Sequence, residues 1–442
     1  MNRVTPDGGK PQPVFTNLNA IAVLVGIVVG IGIFRLPPIV AANAGSEFEF
    51  IAFWVAGGLI SLIGAFCYAE LAAAYPDAGG EYHFLSKAFG SSVGFLFSWG
   101  RMTVIQTGSI ALAGFILGDY ATRLLDLGPY SSSIYAGFTV IGLTALNIWG
   151  TNPSKKTQNL VASAIVIVLL LAAFLGITQG APASAATSGA DAGTNSTGAI
   201  GAAMIFVLLT YGGWNETSYL SGELKNVKQN MIRVLAIGIG VITLIYVSVN
   251  YAYLHVLGLE GLRASEAVGA DLTAAILGSE GAVFLSLIVI IAALSTANAT
   301  IITGARTNYA LGRDFSLLRF LGVWDARHNT PVNALLVQGA IAMLLVFLGT
   351  FTEESVSTMV DYTAPVFWFF LMMTGISLFV FRYKNYEKEL PYSVPFYPVT
   401  PILFILTTLY MLYSALAFTG IGALAGVGIL LAGIPVLYFA RK

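Results

Sequence analysis

Val25-Gly26-Ile27-Val28-Val29-Gly30-Ile31-Gly32-Ile33-Phe34 lies in the first long apolar run of the chain, with three glycines where a membrane helix would be continuous. Far downstream, Leu208-Leu209-Thr210-Tyr211-Gly212-Gly213-Trp214-Asn215 repeats the feature inside another apolar run. In a bilayer an unwound turn exposes backbone N–H and C=O groups, so it persists only where protein, water or a ligand satisfies them. A pair of interrupted apolar segments in two halves of one chain points to a transporter's binding site. The bland reading of the same glycines is that they let helices approach closely.

Working outward, the 442 residues are 57% hydrophobic and 10% charged, with a mean hydropathy of +0.80. That is far too apolar for a soluble domain and describes an all-α polytopic membrane protein. The net charge of −1, with its 21 basic residues scattered between apolar runs, gives no footprint for nucleic acid. The single cysteine, Cys67, excludes a disulfide framework within the chain. No removable signal peptide is read in the polar first sixteen residues.

Apolar spans of about 20 residues are expected near 17–42, 49–75, 91–120, 132–150, 157–178, 199–221, 232–256, 280–310, 332–350, 356–381, 400–419 and 421–440. An even number of spans puts both termini on one side. Lys155, Lys156, Lys225, Lys228, Arg233, Arg306, Arg313, Arg319, Arg327, Arg382, Lys384 and Lys388 fall on that side, and the positive-inside rule makes it the cytoplasm of a cell (inner) membrane. The stretch 179–198 is a run of Ala, Ser, Thr and Gly read as a flexible external loop dividing the chain. Five spans on either side give a single transmembrane domain, residues 1–442, with a first repeat at 17–178 and an inverted second repeat at 199–381. The two further spans at 400–440 lie outside the repeats.

The first break, Gly30-Ile31-Gly32, offers backbone N–H groups to an anion such as an amino acid carboxylate. The second, Tyr211-Gly212-Gly213, offers carbonyls to a cation such as an amino group, with the Asn215 amide close by. Arg35, on the external side of the first break, is expected to gate against Asp361 or else to snorkel to the interface. Glu216 stands as a candidate proton relay or charged partner for a substrate. Glu70 and Glu223 are read as helix-end groups, and Thr103 and Gln106 as core or site. The histidines His83, His255 and His328 fall in or beside loops on different sides, so no metal cluster and no enzyme constellation is read.

Three motifs carry a resemblance: Gly30-Ile31-Gly32-Ile33-Phe34; Cys67-Tyr68-Ala69-Glu70 through Pro76 with Gly79-Gly80-Glu81-Tyr82; and Tyr211-Gly212-Gly213-Trp214-Asn215 followed by Glu223-Leu224-Lys225-Asn226. In this order they resemble the amino acid, polyamine and organocation (APC) superfamily, and especially its L-type amino acid transporter branch. The resemblance implies a LeuT-type fold of five-plus-five inverted repeats with two additional helices. It also implies a zwitterionic amino acid held between the breaks. The carboxylate would meet the amides of Gly30, Ile31 and Gly32, the amino group the carbonyls of Leu209, Thr210 and Gly212, and the side chain Ile31, Tyr211 and Asn215.

Ile31 replaces the family's small hydroxyl residue, Leu209 its aromatic gate, and Ile165 the lysine that follows Gln158 by seven residues in many members. Without that lysine, a sodium ion is expected between carbonyls matching Gly26 and Val29 and the Ala292, Ser295 and Thr296 oxygens of the eighth span; the hydroxyls would otherwise bond back to their own helix. The expectation is sodium-coupled symport of neutral L-amino acids by alternating access. Alternatives are a sodium-independent exchanger, a proton-coupled amino acid or amine carrier using Glu216, and an amino acid sensor. No other cofactor and no obligatory protein partner is expected beyond lipid and the amino acid.

Overall fold

The computed structural model describes residues 16–77, 79–150, 155–180, 197–220, 224–325, 327–328, 330–384, 390–417 and 420–440. The loop residues 181–196, the chain ends and Glu223 lie outside these residues. Ten helices are long and apolar enough to cross a membrane among the described residues, and the apolar helices Asn17–Val28 and Ala199–Thr210 are shorter. The two short ones are the interrupted spans read from the glycines.

Helix α1 (Asn17–Val28) starts at Thr16, whose side chain accepts from the Asn19 amide. It ends at Val29, Gly30 is extended at φ −109° and ψ −153°, and Ile31–Phe34 forms a 3-10 turn. The span resumes as α2 (Pro37–Ala42), with proline in its first turn where a missing N–H costs nothing.

The second span is α3 (Glu47–Ala74), followed by the loop helix α4 (Gly80–Phe89). The third is α5 (Ser91–Gly100), a π-helical turn at Arg101–Ile105 and α6 (Gln106–Thr122). Spans four and five are α7 (Ser131–Ile148) and α8 (Lys155–Gln179). The sixth is α9 (Thr197–Thr210), a break, and the 3-10 turn Trp214–Leu220. Gly213 sits in that break at φ +106°, which glycine alone adopts without steric cost.

The rest are α10 (Val227–Arg263), α11 (Val268–Asp314), α12 (Val332–Gly349), α13 (Ser355–Lys384), α14 (Val399–Ala417) and α15 (Ile421–Ala440). Two of these helices depart from the expected straight spans. Non-helical glycines, Gly258 in α10 and Gly278 in α11, turn the chain at φ +69° and +73°, so both helices run past their expected ends.

Helix α3 packs closely along α10. A Cβ added at Gly58 would lie 2.3 Å from Thr243 Oγ1, and one at Gly57 would lie 2.5 Å from Val207 Cγ1. Small residues are what membrane helices use to approach this closely. The contact presses the second span against both the seventh span and α9, directly behind the second break.

Candidate functional site: two broken helices and the charges around them

The two breaks touch each other. A Cβ at Gly32 would meet Thr210 at 3.4 Å, and one at Gly213 would meet Ile27 at 3.0 Å, so glycine permits both approaches. Tyr246 of α10 joins them: its hydroxyl lies 2.7 Å from the Val28 carbonyl and 2.9 Å from the Thr210 carbonyl. The hydroxyl has one proton to donate, shared between one acceptor from each break. Trp54 and Tyr211 pack around it with edge-to-face geometry at 6.0 and 5.0 Å between ring centroids. Tyr211 in turn donates to the Trp54 carbonyl at 2.8 Å.

The backbone of the breaks is partly committed. The Gly30 amide donates to the Val28 carbonyl at 2.7 Å, and the Gly212 amide to the Leu209 carbonyl at 2.9 Å. Ile31 and Gly32 open the 3-10 turn, where no carbonyl of the same helix reaches their amides. The Thr210 hydroxyl bonds back to the Phe206 carbonyl at 2.8 Å. The site therefore presents open donors at Ile31 and Gly32, facing a second turn rich in carbonyl oxygens.

A charged group lies on the Asn17 side of the breaks. Arg101, from the π turn of the third span, reaches Glu216 Oε1 at 2.9 Å and Oε2 at 3.1 Å. Its other nitrogen lies 3.8 Å from Glu81 of the loop helix α4. Glu81 accepts from the Tyr68 hydroxyl and, at 3.3 Å, from the Asn215 amide. Burial pushes the Glu81 carboxyl above the usual carboxylate range, with Glu216 adding to the rise against the pull of Tyr68, Arg101 and Asn215. Oriented with its oxygen inward, the Gln106 amide accepts from Arg101 Nη2 at 2.9 Å and Nε at 3.1 Å.

On the opposite side the chain is tied across the first break. Arg35 Nε donates to Asp119 of α6 at 3.0 Å, and Nη2 reaches Glu354 at 3.5 Å. Ser132 donates to the other oxygen of Asp119 at 2.7 Å. The neighbouring Tyr120 donates to the Phe34 carbonyl at 2.7 Å and accepts from the Gly269 amide at 3.2 Å.

The profile of the family described as "Amino acid permease" matches residues 15–438. The chain belongs to this family. The permease is 30% identical to the mouse (Mus musculus) b(0,+)-type amino acid transporter 1, over 90% of this chain and 81% of the relative. It is 26% identical to the Bacillus subtilis (strain 168) serine/threonine exchanger SteT over 99% of both chains. It is 27% identical to the human (Homo sapiens) large neutral amino acids transporter small subunit 2, over 95% of this chain and 79% of the relative. Family and relatives make the permease a multi-pass amino acid transporter, not an enzyme.

The residues expected from the sequence fall in three groups. Gly30, Ile31, Gly32, Leu209, Thr210 and Gly212 come together at the facing breaks. Tyr211 and Asn215 also lie there, but Tyr211 points its hydroxyl at the second span and Asn215 points its amide at Glu81. The expected Arg35–Asp361 pair is not formed: Arg35 takes Asp119 and Glu354, while Asp361 accepts from the Gly420 amide at 3.2 Å. The reason is tertiary, since the outer end of the first span packs against the third. Glu216 is not a lone acid, being paired with Arg101. Glu70 forms a forked pair with Arg382 at 2.8 and 2.5 Å.

Of the sodium candidates, Gly26 backs onto Ala162 of α8, with a Cβ there 2.9 Å away. Helix α1 rests on α8 and α10, whereas α11, carrying Ala292, Ser295 and Thr296, rests on the 31–34 turn. Three residues that the structure places around the breaks carry little signal in the sequence: Tyr246 is a tyrosine inside an apolar span, Asp119 an acid near a span end, and Arg101 a lone arginine in a span.

Proposed function

We propose that the permease exchanges neutral L-amino acids across the cell membrane by alternating access, with both chain ends in the cytoplasm. The observation that carries this reading is the meeting of the two unwound turns at Tyr246. The open amides of Ile31 and Gly32 suit the α-carboxylate, and the Leu209, Thr210 and Gly212 carbonyls the α-amino group, so one molecule carrying both charges bridges the turns. Ile31, Tyr211 and Asn215 border the space for its side chain. Arg35, Asp119 and Glu354 would form the external gate. The exchange mode is supported by the relative named as a serine/threonine exchanger, which aligns over nearly the whole chain.

Sodium-coupled symport through Gly26, Val29, Ala292, Ser295 and Thr296 is the second reading. It is favoured by the two hydroxyl side chains, both partly exposed on α11. The packing of α1 away from that face weighs against a closed shell of hard oxygen ligands.

The chain would work without a second subunit, although one relative bears the name of a small subunit. Its only cysteine, Cys67, is buried, so a sulfur bridge to a partner is closed to it.

Purified permease in proteoliposomes preloaded with one unlabelled amino acid decides among these. Uptake of labelled serine, threonine or larger neutral amino acids that requires an internal amino acid and ignores sodium supports exchange. Uptake into empty liposomes driven by a sodium gradient, and lost in Ser295→Ala with Thr296→Ala, overturns it in favour of symport. Activity of the single chain supports independence from a partner.

A further inference from the structure

Amino acid recognition at the breaks makes no use of one buried constellation, formed by Arg101, Glu216 and Glu81. The Arg101 and Glu81 side chains are 6% and 5% exposed, and Glu216 is 35% exposed. An ionised group inside a membrane protein is costly unless it is paired and hydrogen-bonded, so these three are held by a definite arrangement.

Each comes from a different element. Arg101 stands on the third span at the π turn, where the Gln106 backbone N–H donates to the Arg101 carbonyl and brings both side chains to one face. Glu216 lies in the 3-10 turn that follows the second break, and Glu81 on the loop helix. Local π turns of this kind mark sites of function more often than regular helix does.

The guanidinium fork engages both oxygens of Glu216 with one nitrogen, is braced by the Gln106 side chain, and turns its other side toward Glu81. Glu81 in turn holds the Asn215 amide, one residue before Glu216. Two successive residues of the turn after the break are therefore anchored by one cluster. Within the break itself the backbone is held by short-range bonds, the Tyr211 amide to Val207, the Gly212 amide to Leu209 and the Glu216 amide to the Gly213 carbonyl, and by the Tyr246 hydroxyl; none of these reaches the third span.

We propose that Arg101 is a positioning residue for transport: its pair with Glu216 clamps the Trp214–Leu220 turn to the third span and so holds the carbonyls of the second break opposite the amides of the first. Arg101 touches no substrate in this scheme. The effect on transport rests on the amino acid reading given above, whereas the clamp itself is testable without any substrate.

Thr217 supplies that test. It is buried in the clamped turn and its hydroxyl has no hydrogen-bond partner, so Thr217→Cys removes no contact of that kind. In a Cys67→Ser background, the alkylation rate of Thr217→Cys reports whether the turn stays seated. Arg101→Gln and Glu216→Gln are each expected to speed alkylation about tenfold or more, and the double variant no more than either alone, as for two halves of one interaction.

In amino acid counterflow the same variants are expected to raise KM about tenfold with a smaller change in Vmax, the pattern of weakened binding. Arg101→Lys keeps the charge but loses the fork, and is expected to fall between. If Arg101→Gln folds poorly, Glu216→Gln and Arg101→Lys carry both readouts. Wild-type alkylation rates in these variants, additive effects in the double variant, or an unchanged KM with only Vmax reduced would overturn the proposal. Failure of the transport reading would show separately, as wild-type permease that moves no amino acid while the alkylation rates still respond to Arg101.

Discussion

One hydroxyl bridges the unwound turns of this permease, and its removal is informative. Tyr246→Phe keeps the ring packing against Trp54 and Tyr211 but takes the hydroxyl from the Thr210 carbonyl, while the Val28 carbonyl keeps the Gly30 amide. A buried polar group stripped of its partner costs about 1–3 kcal/mol, so a lower midpoint of thermal unfolding and weaker transport are expected. Asp119→Asn removes the charge that Arg35 faces across the first break. Breaking such a buried pair costs on the order of 3 kcal/mol, and the variant should also open the external side, read as faster labelling of Ile33→Cys from outside in the Cys67→Ser background.

Glu81 gives a pH signature. Its carboxyl is held above the ordinary range, so the folded chain keeps a proton that the unfolded chain has lost above about pH 4.3. Stability should fall as pH rises from there to the folded value and then level off; Glu81→Gln should abolish that slope in thermal unfolding. At this scale the sequence was a partial guide. Arg35 could be singled out as a gate, but its acid lies 84 residues away in the third span, and nothing in local spacing distinguishes Asp119 from Asp361.

At the scale of elements, the breaks were legible because their cause is local. Glycine lacks the Cβ that favours helix and supplies backbone freedom in a run otherwise apolar enough to span a membrane. The π turn at Arg101–Ile105 was not legible, since Arg101-Met102-Thr103-Val104-Ile105 holds no glycine or proline to mark a departure from regular helix. The close seam of α3 on α10 gives a prediction of its own. Gly58→Val would force a side chain onto Thr243, overpacking worth about 1–3 kcal/mol; Gly240→Val, on α10 with open space around its Cα, should cost far less. Comparing the two unfolding midpoints checks the seam.

For the whole molecule, the ties on the two sides of the breaks differ in kind. On one side the two ion pairs of Arg35, with Asp119 and Glu354, and the Tyr120 bond to Phe34 join the first span to the third and to the segment between the ninth and tenth, while the Gly269 amide ties α11 to Tyr120 of the third. On the Asn17 side the charge cluster joins the third span to the sixth. Alternating access needs each set to part in turn, so Asp119→Asn and Arg101→Gln should bias the permease toward opposite faces. Labelling from either side of oriented vesicles would read this out.

The sequence by itself determined the succession of apolar spans, the positions of both breaks and the membership of a transporter family. These follow from hydropathy, glycine placement and short motifs, all properties of neighbouring residues. Only the tertiary structure decided which charge meets which, that Tyr246 stands between the breaks, and that Asn215 turns to Glu81. Those choices depend on which helices lie side by side, because a Coulomb contact or a hydrogen bond acts over a few ångströms of space and is blind to separation along the chain.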